Sequence, residues 1–163
     1  MSDILLSAQA LLKVIGDLNK KYEFSQNIPE NYYEPGNMEY LDCYFGHYDT
    51  TEKKAIIRFD AKGLRYDNRT ETLESLSVGD PVVIKRDAEN EYNSNNFMLL
   101  TSNGKSLGNM PAYLCDALAP LYDLGYAVID GSKISFLERI EERSRYAKQG
   151  VLFVEMQLSF RGI

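Results

Sequence analysis

The chain has 163 residues, 44% of them apolar, and a formal net charge of −6. That is enough for one domain with a buried core, without the basic excess usual in nucleic-acid binders. No apolar run is long enough for a membrane span, Asp3 and Lys13 do not frame a secretory signal, and the distant Cys43 and Cys115 read as free thiols of a reducing compartment, which together point to the cytoplasm.

Residues 3–20 carry Ile4, Leu5, Ala8, Leu11, Leu12, Ile15 and Leu18 at helical spacing. Ser2 or Asp3 can cap this helix, and Lys20 and Lys21 sit at the end where cations suit its dipole. Such a helix packs one apolar face on its own domain, or docks a partner or a second copy. From Glu23 to Asn37 the chain is polar, with two prolines, a glycine and several asparagines, and reads as a loop. Its Tyr32 and Tyr33, between Glu30 and Glu34, form an acidic aromatic patch or pack down over the domain. Residues 1–50 hold eight acidic side chains against three basic ones, so the acidity is concentrated in the front third. The rest is near neutral and leaves room for a local basic face.

Tyr40, Asp42 and Tyr44 alternate with Leu41, Cys43 and Phe45, which suits a half-buried strand. His47, the only histidine, has no metal-ligand cluster or nucleophile to work with and reads as structural. A turn over 49–54 leads to a return strand over 55–59. Arg65 and Tyr66 then stand beside Gly63, where backbone can approach a ligand. Residues 70–76 allow a short helical turn, and a turn through Pro81 opens a strand over 82–85. The stretch 86–96, R-D-A-E-N-E-Y-N-S-N-N, sets Tyr92 among small polar residues, more in the manner of a binding rim than of a connector. Its asparagines can also simply satisfy the loop's own backbone. A strand over 96–101, the hairpin signal Asn103-Gly104 and a short strand from Leu107 follow. Pro111 opens a helix with Leu114, Leu118, Leu121 and Tyr122 on one face; Pro120 kinks or shortens it and Gly125 stops it. Segments 126–129, 133–137 and 151–160 read as closing strands. The sum is an α+β chain built on a small β-barrel or curled sheet.

Phosphate-binding, dinucleotide-binding, zinc-protease and nucleophile-elbow patterns are all missing, and no carboxylate pair is singled out by its spacing. The reading is therefore of a non-catalytic protein that needs no metal or cofactor.

The residues Gly63-Leu64-Arg65-Tyr66, Arg86-Asp87 with Asn90, Tyr92 and Asn95, Gly104, Leu107-Gly108 and the terminal Leu158-Ser159-Phe160 occur in an order and spacing that resembles the HIRAN domain, from about Ala55 to Ile163. The resemblance implies a modified OB- or SH3-like barrel over 51–163 that grips the 3′ end of single-stranded DNA. Residues 1–50 then form an extension: the N-terminal helix and the acidic, Tyr-rich segment. Its implied nucleic-acid-binding residues are Arg65, Tyr66, Asn90, Tyr92, Asn93, Asn109 and Phe153. Its implied partners are a DNA end and a helicase, nuclease or other DNA-processing protein, with no membrane. Tyr66 and Tyr92 offer faces to unstacked bases, Arg65 holds a phosphate or stacks, and Asn90 bonds a phosphate or a base edge.

Some positions depart from the family pattern. Asn93 stands where the family commonly has Asp, taken to accept from the 3′-hydroxyl; an amide no longer repels a 3′-phosphate. Glu91 replaces a proline and Asn109 a histidine. An aromatic expected early in the last strand aligns with Leu152, with Phe153 one residue on. A second reading keeps the barrel as a scaffold and uses the acidic front third to bind a protein. The DNA reading needs an open groove around Arg65, Tyr66 and Tyr92. The protein reading needs residues 23–50 over that groove, or the largest exposed apolar patch on the front third.

Overall fold

The structure, a computed structural model, describes residues 2–28, 40–64, 69–139 and 150–162. Helix α1 (Ser2–Gln26) comes first, then a 3-10 turn at Leu41–Cys43, β1 (Phe45–Asp49), β2 (Lys54–Asp60) and α2 (Arg69–Leu73). They are followed by β3 (Val83–Asp87), β4 (Asn96–Leu100), β5 (Ser106–Asn109), α3 (Ala112–Asp123), β6 (Ala127–Glu138) and β7 (Val151–Phe160). Among the described residues the strands form two antiparallel sheets, ordered β1-β2-β7-β6 and β3-β4-β5. The sheets touch at two isolated bridges, Lys62 with Asn109 and Pro81 with Lys133. The α+β composition is as expected; the continuous ladders make two sheets rather than one closed barrel.

The two-residue period of β2 sets the core. Ala55, Ile57 and Phe59 are buried, while Lys54, Ile56, Arg58 and Asp60 point to the other face. Ile57 sits opposite Met156 and Phe59 opposite Val154, both buried on β7. Phe97, Leu99 and Leu107 from the second sheet and Leu114 and Leu118 from α3 complete the cluster. Each such side chain contributes about 1.5–3 kcal/mol by leaving water. On the opposite face of β7, Glu155 accepts from Arg58 Nε at 2.9 Å and faces Lys133 Nζ at 3.7 Å, so its buried carboxylate is held by cations from both neighbouring strands.

Three elements differ from the sequence expectation. Helix α1 runs past the two lysines to Gln26, and Tyr22 packs edge-on against Phe45 at 5.3 Å, so tertiary packing prolongs the helix beyond its apolar periodicity. Residues 41–43 are a 3-10 turn, because Tyr40 adopts a left-handed φ of 68° that ends any extended run. The two expected strands after α3 are the single β6, with the Asp130-Gly131 step absorbed as a register shift between Ile129 and Gly131. Leu11, Ile15 and Leu18 of α1 are buried against β1 and α3, and a Cβ at Gly46 would collide with the Ile15 carbonyl oxygen. The Tyr32–Tyr33 patch lies outside the described residues.

Candidate functional site

The loop between β3 and β4 is a frame built from its own asparagines. Asn90 Oδ1 accepts from the backbone N–H groups of Tyr92 and Asn93, each at 3.0 Å, and Asn93 Oδ1 accepts from that of Asn95 at 3.0 Å. These are Asx turns, which shape a loop without needing a partner element. The Nδ2 groups of Asn93 and Asn95 donate to Asp116 Oδ1 of α3 at 3.1 and 3.3 Å. Beneath them, Asp87 Oδ2 accepts from Asn90 at 3.1 Å and from Asn96 at 3.0 Å, and Asn96 Nδ2 also donates to Asn109 Oδ1 at 2.9 Å. The structure therefore gathers Asn90, Asn93 and Asn109 into one polar network around Asn96, which is 6% exposed.

Arg86 locks this frame to the helix. Its Nε and Nη2 donate to the two oxygens of Asp123 at 2.9 and 3.0 Å. Its Nη1 donates to the carbonyls of Ser94 and Asn96 at 2.7 and 3.1 Å. The Asp123 carboxylate raises the Arg86 pKa further, so this cation is committed to structure. Tyr92 is left standing clear of all this, 89% exposed.

The other expected site residues fall differently. Arg65 and Tyr66 lie outside the described residues; they are flanked by Leu64, which is buried, and by Arg69, which donates to Ser106 Oγ at 2.8 Å and to the Gly63 carbonyl at 2.9 Å. Phe153 is 1% exposed and packs edge-on against Tyr44 at 4.9 Å and Phe136 at 6.1 Å. It has no ring face free for a base, the reverse of the expectation. Tyr40 and Tyr44 of the front third thus cover Phe153, and leave Tyr92 open. His47 is exposed on β1, and no group of three or more His, Cys, Asp or Glu side chains among the described residues is placed to hold a metal.

Three residues of α3 were not singled out by the sequence. Tyr113, Asp116 and Asp123 recur on the solvent stripe opposite Leu114, Leu118 and Leu121, and both carboxylates of that stripe hold the loop. Although 42% of Tyr113 is exposed, burial around its phenol, followed by the charge of Asp60 and of Tyr44, raises its pKa, so the hydroxyl stays neutral. The Tyr44 phenol is pushed up to about 12, by burial first and then by Asp60, to which it donates. Lys62, one of the bridging residues, pairs with the same Asp60. The apolar face of α3 implies by its complement that Tyr113, Asp116 and Asp123 face solvent, but nothing in the sequence places that stripe beside the loop.

No curated protein matches the chain. A crystal structure of a protein from Lactobacillus plantarum is 24% identical, with a TM-score of 0.47, and covers 64% of this chain and 97% of its own. The crystal structure of the HIRAN domain of human HLTF is 22% identical, with a TM-score of 0.47, and covers 64% of this chain and 76% of its own. The HIRAN domain family matches residues 55–148, more than half of the chain, which contains all of β2 but its first residue, the elements from there to β6 and the whole asparagine frame. On that match the chain belongs to the HIRAN domain family, a family of DNA-binding modules.

Proposed function

We propose that this chain is a non-catalytic module that binds single-stranded DNA at its 3′ end, with the terminal bases stacked on Tyr92. The observation that carries the reading is the contrast within one loop: the asparagines around Tyr92 are tied down, while the ring itself is 89% exposed. A loop backbone already held in shape loses little entropy on binding, and stacking of a base on the exposed ring is worth about 1–3 kcal/mol. Arg65 and Tyr66, from the resemblance, add a phosphate contact and a second face. Asn90, Asn93 and Asn109 act as the frame, and Phe153 as the wall behind Tyr44. The two inter-sheet bridges support a barrel-like curl over 51–163, with 1–50 as an extension packed on it. The module would serve a helicase, nuclease or other DNA-processing protein in the cytoplasm.

Fluorescence polarisation with 5′-labelled single strands ending in a 3′-hydroxyl or a 3′-phosphate, at two salt concentrations, tests this. Binding that discriminates the ends and is lost in Tyr92→Ala supports it. Failure to bind either strand at low salt removes the DNA reading.

One observation favours a protein-interaction role as a second reading. Leu5, Leu6 and Leu12 of α1 are exposed at 56%, 63% and 46%, as is Leu124 at 64%. Leu5 and Leu12 edge a cavity of about 350 Å³ shared with Tyr48, Leu121, Tyr126 and Phe160. Exposed apolar surface of this kind on the front third is what a partner-binding scaffold requires.

A further inference from the structure

Because Arg86 is spent on Asp123 and two carbonyls, the phosphates of a strand lying on Tyr92 need other cations. Two of them stand on α1, across α3 from the loop. Asn93 and Asn95 grip Asp116, and one turn back along the same stripe of α3, about 5–6 Å away, is the half-exposed Tyr113. Tyr113 joins Lys13, Val14, Asp17, Leu18 and Lys21 in lining a groove of about 320 Å³ between α3 and α1. Lys21 is exposed and holds its Nζ 4.2 Å over the Tyr44 ring, and the Lys13 side chain is 78% exposed and paired with Asp17 at 2.9 Å. That exposed pair is weak enough for a phosphate to replace the carboxylate. The two lysines are eight residues apart, about 12 Å along the helix.

Building on the DNA-binding reading, we propose that the strand continues from Tyr92 across Tyr113 into the groove between α3 and α1, where Tyr113 stacks a further base and Lys13 and Lys21 hold phosphates. Helix α1 lies outside the residues that match the family, so this chain carries its own extension of the binding track. The groups facing the groove and its ends are Lys13, Lys21 and Lys62 against Asp17, Asp60 and Asp116. With the charges nearly balanced, stacking dominates and the salt dependence is shallow. The two phosphate contacts of Lys13 and Lys21 add about −1.4 to the slope of log K against log salt.

The test is polarisation binding of single strands of about four and about twelve nucleotides, lengths that span the usual footprint of a small module. The full chain is compared with Tyr113→Leu, Lys21→Gln and Tyr92→Ala, after each variant is shown to keep its thermal midpoint. The long strand binds the unaltered chain about tenfold more tightly than the short one. Tyr113→Leu and Lys21→Gln each weaken the long strand about five- to tenfold and the short one less than about twofold. Lys21→Gln also makes the salt slope about 0.7 shallower. A merely structural role for either residue would weaken both lengths equally, and that outcome overturns the proposal. Equal affinity for both lengths, with Tyr92→Ala still abolishing binding, overturns the track and leaves the underlying reading intact. Absence of binding at any length overturns both.

Discussion

At the scale of single residues, stability and binding separate cleanly in the loop. Tyr92 touches little, so Tyr92→Ala shifts folding stability by no more than about 0.5 kcal/mol while costing tenfold or more in affinity for a single strand. Asn96 is the converse. It is buried, and its Nδ2 serves both Asp87 and Asn109, so Asn96→Ala leaves two acceptors short of a donor. It destabilises by about 1–3 kcal/mol, read from the urea midpoint. Asp116 adds a charge argument. Asn93 does not itself repel a phosphate, but its amide holds the Asp116 carboxylate at the loop. The unaltered chain is therefore expected to prefer a 3′-hydroxyl over a 3′-phosphate, and Asp116→Asn to narrow that ratio in the polarisation assay without abolishing binding. An unchanged ratio would assign Asp116 a purely structural part.

At the scale of elements, the ends of strands and helices decide the details. Asp49 closes β1 by accepting the N–H groups of Thr51 and Glu52 at 2.9 and 3.0 Å. The Glu52 N–H, then that of Thr51, outweighs burial and holds its carboxyl below 3.8. A depressed folded pKa adds stability that is fully present above the unfolded value and lost as the pH falls through the folded one. Asp49→Asn should thus lower the unfolding midpoint near neutrality and flatten its acid limb, the variant and the unaltered chain converging as the pH falls below the usual carboxylate range. The same local logic explains what the sequence displayed. The alternation of β2, the hairpin at Gly104 with its φ of 83°, and the start of α3 at Pro111 are signals of a few neighbouring residues, and all are present. The 3-10 turn at Leu41–Cys43 shares the alternation of a strand and differs only in the φ of Tyr40, which no pattern reports. Asp130-Gly131 carries a turn signature, yet pairing with the long β7 stretches it into β6. In the site, the asparagine loop was legible as turn chemistry. Its anchors Asp116 and Asp123 were not, because they lie more than twenty residues further on and only the fold brings α3 beside the loop.

At the scale of the whole molecule, the question is how firmly α1 belongs to the domain. Its buried face, Leu11, Ile15 and Leu18, lies against β1 and α3, and removing it would uncover the apolar ground beneath. One close approach is at Gly46 on β1, where a Cβ would collide with the carbonyl oxygen of Ile15. Backbone stands on both sides of that contact, so a methyl group there cannot be accommodated by turning a side chain. Gly46→Ala must push α1 outward, at a cost of about 1–3 kcal/mol, the usual range for overpacking a well-filled site. The displacement also moves Lys13 and Lys21, which ride on the same helix, away from Tyr113. Two readouts follow from one substitution: a lower thermal midpoint, and a loss of affinity confined to long strands. A lower midpoint with long-strand binding intact would mean that α1 braces the fold without touching the ligand. An unchanged midpoint would mean that α1 does not sit on β1 at Gly46, and the docking of the front third would have to be redrawn.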